Sequence, residues 1–255
     1  NKQYQKQAAY QAQLDSIALV KQIQADSIAA VEAAQRLSSD TASVVQVAAP
    51  VSIYKDSLLE AAHSGEAQIV TLSNDKFEVA FTTKGAQPYS ARLKEYNAYG
   101  GGELYLFKPE MSRYDIQIYA GETINTADFN FVVAEKTDTS LAMRLPFAGG
   151  GYIEQRYTIA EGAYSVKNYL SFVGMENVIP KNVFSFDVDY FVTMPRMEKG
   201  YKGEVQYSKL DYYFNGEKKP EDIAKGRNAQ KRVDARVSWF AFQQQFFSAI
   251  MRAPQ

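Results

Sequence analysis

The residue composition of the chain changes abruptly near residue 66. Before that point stand three of the 18 tyrosines and one of the 15 glycines, with no phenylalanine and no tryptophan. This early part is instead rich in Ala, Gln and Ser, which leave too little apolar surface for a hydrophobic core. Residues 1–66 are therefore predicted to be a low-complexity helical or disordered tether, and the folded domain must lie after them.

The tether divides into two parts. Apolar residues between positions 8 and 37 form a narrow stripe at helical spacing, which fits either a long, weakly anchored helix or a mostly disordered linker. Residues 38–66 carry Ser, Thr, Pro and Gly and are predicted to be extended. His63, the single histidine of the chain, falls in this second part, where we expect it to be exposed and without a catalytic role.

From Ile69 onward the apolar residues recur with a period of two, the spacing of a half-buried β-strand. Turn-forming Gly and Asn residues separate these runs, and no alternation of strands with helical patterns is present. The pattern predicts a mainly β protein, built as a large antiparallel β-sandwich over residues 67–237. The clearest runs are Phe77, Val79 and Phe81, and then Leu141, Met143 and Leu145.

The last apolar segment departs from this period. At about 100° per residue, Trp239, Phe242 and Phe246 fall on one side of a helix, and Phe247 widens the same arc. This spacing predicts a C-terminal amphipathic α-helix over residues 238–252. Its aromatic face either packs on the sandwich or contacts a partner or the membrane surface, so these four aromatic residues are candidate contact residues.

A second aromatic group precedes this segment. Tyr207, Tyr212 and Tyr213 belong to a tyrosine-rich stretch, and their rings are candidates to line a cleft and stack on a sugar or an extended peptide. Tyrosine is also common in strands, so packing of these rings across neighbouring strands is the alternative.

The connection over residues 216–236 is rich in Lys and Arg. Lys231 and Arg232 lie near its end and are candidate membrane-proximal contacts, because cations are attracted to anionic lipid headgroups. A solvated loop is the alternative for this segment. Within it, Pro220 followed by acidic residues predicts a short helix over residues 220–224.

Composition narrows the possible chemistry. The chain has no Cys, one His and a formal net charge of -1, so thiolate nucleophiles and sites that need sulfur ligands or two imidazoles are excluded. The near-zero charge also argues against a nucleic-acid partner. Asp187 and Asp189 share a strand face, which is more typical of a solvated surface than of a calcium site. We expect no enzyme activity, no metal and no cofactor.

Two stretches resemble a known family. The segment from Trp239 to Ile250 is similar to the aromatic signature that precedes the membrane core in the YidC family of bacterial membrane protein insertases. The strand from Phe77 to Phe81, with the residues Thr82-Thr83-Lys84-Gly85-Ala86-Gln87 and Leu93-Lys94-Glu95-Tyr96 after it, resembles the opening of that family's large periplasmic domain. The similarity covers residues 68–252, and the Gln/Ala-rich start is similar to that of Bacteroidetes-type members.

The resemblance implies a periplasmic β-supersandwich, similar in fold to galactose mutarotases, in a longer protein anchored in the bacterial inner membrane by flanking helices. The tether would follow the first of these membrane helices. The family inserts and helps to fold inner-membrane proteins, alone or with the Sec translocon, so Sec components and nascent inner-membrane proteins are the implied partners. The domain itself would serve in docking, positioning or client contact.

A carbohydrate- or peptide-binding module of the periplasm is the alternative function. Mutarotases transfer protons with His and a carboxylate, and the chain has no His beyond residue 66. Sugar epimerisation is therefore not expected, whereas a cleft that binds a peptide or a glycan without catalysis stays open.

Overall fold

A computed structural model describes residues 54–223 and 229–253 of the chain. Residues 1–53 of the tether predicted over residues 1–66 lie outside the described residues. Within the described ranges, no helix is both long enough and apolar enough to cross a membrane.

The described chain is mainly antiparallel β-structure, which confirms the fold class predicted from the period-two pattern. The first sheet has the order β1 (Ile69–Ser73), β2 (Phe77–Thr82), β3 (Gln87–Asn97), β4 (Glu103–Phe107). The second sheet has the order β10 (Val166–Val173), β9 (Tyr152–Ile159), β8 (Ser140–Pro146), β7 (Val132–Lys136).

Two smaller sheets complete the domain. The third has the order β11 (Asp187–Val192), β5 (Ser112–Tyr119), β6 (Thr123–Asn125). The fourth has the order β13 (Glu221–Ile223), β12 (Lys209–Phe214), β14 (Val237–Gln243), β15 (Ser248–Arg252). Helices α1 (Ser57–Ser64) and α2 (Tyr201–Tyr207) and a 3-10 turn over Thr126–Asp128 stand outside the sheets.

The core lies between the apolar faces of the first and second sheets. The ring of Phe81 in β2 packs on the ring of Tyr157 in β9, with centroids 4.4 Å apart. The six residues singled out by the period of two are all buried there. Burial of apolar surface of this kind is the main stabilising contribution to a sandwich.

The structure corrects the prediction that residues 38–66 are an extended tether outside the fold. Residues 57–64 form α1, whose first turn is capped by Asp56, since its Oδ1 accepts hydrogen bonds from the amides of Leu58 at 2.8 Å and Leu59 at 3.3 Å. The Leu59 side chain is buried in the sandwich core. The folded domain therefore begins before α1 and not at residue 67.

His63 also differs from expectation. It lies in α1, is half-buried, and its Nδ1 is 3.1 Å from the carbonyl oxygen of Asp128. Its ring packs beside those of Tyr54 and Phe129, at centroid distances of 5.2 and 6.1 Å. The imidazole is thus part of the packing between α1 and the loop before β7.

The predicted C-terminal helix over residues 238–252 is wrong, because this segment forms the β14–β15 hairpin. In β14 both faces are partly covered, so the apolar residues do not alternate with polar ones and the period of two is hidden. The predicted helix over residues 220–224 is also wrong: residues 221–223 form β13, which pairs with β12 through Tyr212 and Glu221. In both cases long-range strand pairing overrides local helix signals.

Candidate functional site

The described chain has an apolar cleft of about 450 Å³. It lies between the first sheet and the turn of the β14–β15 hairpin. The lining from β2, β3 and β4 is Phe77, Val79, Pro88, Ala91, Leu93, Tyr96, Leu106 and Phe107. The opposite side is formed by Tyr164, Val166, Tyr190 and residues 246–250.

The turn of the hairpin is fixed by Gln244. Its backbone amide donates a hydrogen bond to the carbonyl oxygen of Phe247 at 2.8 Å, and its side-chain Nε2 donates to the carbonyl oxygen of Pro195 at 2.6 Å. These two hydrogen bonds fix the position of the turn, and the Phe247 ring lies at the cleft edge beside Tyr96. Phe246 also lines the cleft but is 67% exposed, and Ile250 is 66% exposed.

One side of the cleft mouth carries a polar group of three residues. The Glu95 carboxylate accepts hydrogen bonds from Lys76 Nζ at 2.6 Å and from the Tyr164 hydroxyl. These two hydrogen bonds hold the pKa of Glu95 below its usual value, and the bond from Lys76 has the larger effect. The hydrogen bond to Glu95 in turn raises the pKa of Tyr164. An ionised carboxylate thus stands next to an apolar cavity.

Tyr190 of β11 joins the cleft to the fourth sheet. Its ring centroid lies 6.0 Å from that of Phe240 and 5.8 Å from that of Phe242. Burial raises the pKa of Tyr190. This aromatic cluster explains how β14 is held against the third sheet.

The four aromatic residues predicted to share a helix face are divided between two faces of a hairpin. Trp239 stacks on Tyr213, its cross-strand neighbour in β12, with centroids 6.2 Å apart. Phe242 lies on the opposite face of β14 and packs on Tyr190, while Phe246 and Phe247 belong to the turn at the cleft. Only the last two line the cleft.

The three predicted cleft tyrosines do not meet in one cleft. Tyr212 is buried, and its hydroxyl donates a hydrogen bond to Glu221. Tyr213 lies on the other face of β12, where it borders a shallow depression with Trp239. Tyr207 stands apart at the end of α2 and is exposed. For Tyr212 and Tyr213 the arrangement is the cross-strand packing given above as the alternative.

Lys231 and Arg232 are exposed and each is paired with an acid. Lys231 Nζ bonds to Glu221 and lies 5.2 Å from the centroid of the Tyr212 ring. This pair lowers the pKa of Glu221 and raises that of Lys231. Arg232 Nε contacts Asp234 Oδ1 at 2.8 Å. Both side chains are exposed and could contact a membrane surface, but they would then have to break these ion pairs.

Sequence reasoning missed the cleft because most of its lining residues have the pattern of ordinary core positions. The one sequence feature that could have indicated the cleft is Glu95-Tyr96, an acidic and an aromatic residue near the end of the long strand β3. A hydrophobic cavity with a single rim carboxylate suits an apolar side chain better than a sugar, which needs many polar partners. In residues 54–223 and 229–253 no three Asp, Glu or His side chains are grouped closely enough to hold a metal ion.

The sequence matches one family profile and several curated relatives. The profile of the YidC periplasmic domain matches residues 69–254. The chain is 30% identical over 242 residues to the membrane protein insertase YidC of Phocaeicola vulgatus. The alignment covers 94% of this chain and 37% of that protein. The chain is 28% identical to the insertase YidC of Bacteroides fragilis, covering 97% of this chain and 39% of the relative. The chain thus spans well under half the length of these relatives.

One solved structure shows a weaker likeness. A galactose mutarotase-like protein from Lactobacillus casei ATCC 334 is similar with a TM-score of 0.43 and 14% sequence identity. The alignment covers 71% of this chain and 78% of that chain.

Proposed function

The chain belongs to the YidC periplasmic domain family, and from that premise we propose that it is a docking and positioning domain of a membrane protein insertase. In this proposal it lies on the periplasmic side of the bacterial inner membrane, is held there by flanking membrane helices, and is non-catalytic. It assists insertion and folding of inner-membrane proteins, alone or with the Sec translocon.

The observation that carries the proposal is the apolar cleft closed by Phe247, with Phe246 exposed beside it. Single exposed apolar residues are common on protein surfaces, but an aromatic turn beside an apolar cavity offers both an anchor and a pocket. Nascent membrane proteins are rich in apolar side chains. Such a side chain would exchange water for the walls of this cleft, which is favourable by roughly 25 cal/mol per Å² of apolar surface buried.

The alternative is a module that binds carbohydrate or peptide in the periplasm without insertase work. The apolar lining favours peptide over carbohydrate, since a sugar would leave most of its hydroxyl groups without partners in this cleft. Peptide binding is therefore common to both proposals, and only the insertion assay separates them.

The proposal is tested by filling the cleft in the full-length insertase. Ala249 lines the cleft in β15, and Ala249→Trp should reduce insertion of a client protein into membrane vesicles. Ala134→Trp is the matched control, because Ala134 is exposed in β7 of the second sheet. Normal insertion by a folded Ala249→Trp protein, judged by an unchanged melting temperature, would contradict the docking role of the cleft.

Site-specific crosslinking gives a second measurement. A photoreactive phenylalanine analogue at Phe246 should crosslink to a nascent inner-membrane protein during insertion. The same analogue at Tyr119, which is exposed at the end of β5, should not. Equal crosslinking from both positions would mean that contact with the client is not directed by the hairpin turn.

A further inference from the structure

Strand β11 is an edge strand. The face of Asp187, Asp189 and Phe191 is exposed, whereas the other face is exposed at Val188 and half-buried at Tyr190 and Val192. The strand is hydrogen-bonded to β5 on one side, with Val188 opposite Ile116 and Asp189 opposite Asp115. No described strand pairs with its other side. An edge strand presents a row of backbone N–H and C=O groups that can accept a further strand.

One face of this edge is apolar. Val188 and Tyr190 lie on this face of β11, and Phe184 and Phe186 directly precede the strand; Phe184, Phe186 and Val188 are 91%, 41% and 45% exposed. The ring of Phe186 lies 5.7 Å from that of Phe172 in β10, and Tyr190, the next residue on the same face, lines the cleft. Apolar side chains therefore lie before β11 and along one face of it, and one of these, Tyr190, lines the cleft.

The other face of the edge carries two acidic residues, Asp187 and Asp189, followed by the exposed Phe191. Asp187 and Asp189 are exposed, and among the described residues neither has an ion-pair or hydrogen-bond partner. Asp189 stands opposite Asp115, which is already satisfied by Arg113 Nη2 at 2.9 Å and by the amide of Ala127 at 2.9 Å. Like charges at directly opposite positions destabilise a sheet. Arg113 on this face is engaged by Asp115, so Asp187 and Asp189 have no cation partner among the described residues.

The carboxylates also disfavour a second copy of the chain as the partner. Antiparallel pairing of two β11 edges would bring the Asp187 and Asp189 side chains of both copies together, and such inward charges are a known protection against self-association. A partner strand that carries Lys or Arg opposite these two residues would instead be attracted.

From the open edge, the apolar face and the unpaired carboxylates, we infer that β11 binds an extended polypeptide as an added strand. The bound segment has apolar side chains on the face towards Phe186 and Val188, and Lys or Arg side chains on the face towards Asp187 and Asp189. This inference rests on the docking role proposed above. It adds a second binding element to the cleft: a strand that prefers partner segments in which apolar residues alternate with Lys or Arg.

The test uses the 255-residue chain and a fluorescent peptide of about nine residues, the length of a long strand, in which Val alternates with Lys. Fluorescence anisotropy should show saturable binding. The double variant Asp187→Lys/Asp189→Lys should weaken binding about tenfold or more, because two attractions become repulsions. Asp138→Lys/Glu161→Lys is the control: it changes the charge equally in two exposed turns and should leave binding unchanged.

A second measurement separates strand addition from loose charge attraction. N-methylation of alternate amides on one edge of the peptide should abolish binding, and methylation on the other edge should not, because only one edge faces β11. Equal affinity for both variant proteins, or equal affinity for all methylated peptides, would overturn the inference. The peptide assay reports on β11 alone, whereas Ala249→Trp in the insertion assay reports on the cleft, so either idea can fail while the other stands.

Discussion

The ring of Phe247 lies edge-on against the ring of Tyr96, with centroids 5.4 Å apart and planes at 85°. Edge-to-face aromatic pairs of this geometry are favourable beyond the area that they bury. The contact ties the turn of the β14–β15 hairpin to the end of β3, across a large separation in sequence. It therefore sets the width of the cleft mouth.

Truncation of the two adjacent phenylalanines should have unequal effects. Phe247→Ala removes a half-buried ring and should lower the free energy of unfolding by about 1–3 kcal/mol. Phe246→Ala removes an exposed ring and should change it by less than about 0.5 kcal/mol. Urea denaturation followed by circular dichroism measures both, and equal losses would mean that the hairpin turn is packed differently.

Much of the sandwich could be predicted from local sequence because its strands are covered on one face. Phe77, Val79 and Phe81 alternate with more exposed residues, so the period of two is visible without any knowledge of their partners. In β8 the predicted apolar positions Leu141, Met143 and Leu145 are also all buried, and Ala142 between the first two is buried as well.

The C-terminal hairpin could not be predicted in this way because its determinants are distant in sequence. Its turn contains Gln rather than Gly or Asn, and it depends on the hydrogen bond of Gln244 to Pro195. Trp239 and Phe242 have helical spacing, yet each finds its neighbour in another strand, Tyr213 for the first and Tyr190 for the second. Tertiary contacts of this kind outweigh a difference of a few tenths of a kcal/mol in local propensity.

The role of α1 can be tested at two neighbouring leucines. Leu59 is buried in the sandwich core, whereas Leu58 is exposed. Leu59→Ala should cost about 2–5 kcal/mol of stability, as expected for a large-to-small change in a core, while Leu58→Ala should be close to neutral. Thermal unfolding of both variants compares them directly. A Leu59→Ala protein as stable as the Leu58→Ala protein would show that α1 is not part of the domain.

A buried hydroxyl in the core gives a third prediction. The Tyr157 hydroxyl donates to the carbonyl oxygen of Ala86 at 2.7 Å and lies 3.1 Å from Gln155 Oε1. Tyr157→Phe leaves the Ala86 carbonyl without this donor inside the core and should cost about 1–3 kcal/mol. Tyr119→Phe is the control, because Tyr119 is exposed. The prediction fails if the melting temperatures of the two variants agree.

Stability should fall in acid partly through Glu154. Burial raises the pKa of Glu154, but hydrogen bonds from Arg144 at 2.7 Å and Arg156 at 3.2 Å outweigh this effect and leave the pKa below its usual value. A carboxyl group with a lowered folded-state pKa adds stability above its unfolded-state pKa of about 4.3, and that stability is lost as the pH falls through the folded-state value.

The pH prediction is measured as melting temperature between about pH 7 and pH 3. The native chain should lose stability below about pH 5, and Glu154→Gln should show a shallower fall over the same range because it cannot be protonated. Glu161→Gln, in an exposed turn, should follow the native curve. A Glu154→Gln curve parallel to the native one would contradict the role given to the two arginines.

Trp239 is the single tryptophan of the chain and serves as an internal reporter of the C-terminal sheet. The Tyr213 ring covers one face of its indole, with centroids 6.2 Å apart and planes at 21°. Tyr213→Ala should expose the indole to water and shift its fluorescence emission to longer wavelength, whereas Tyr207→Ala, in α2, should leave the emission unchanged. If residues 238–252 were helical, Tyr213 would not be the cross-strand neighbour of Trp239, and both variants would keep the native emission maximum.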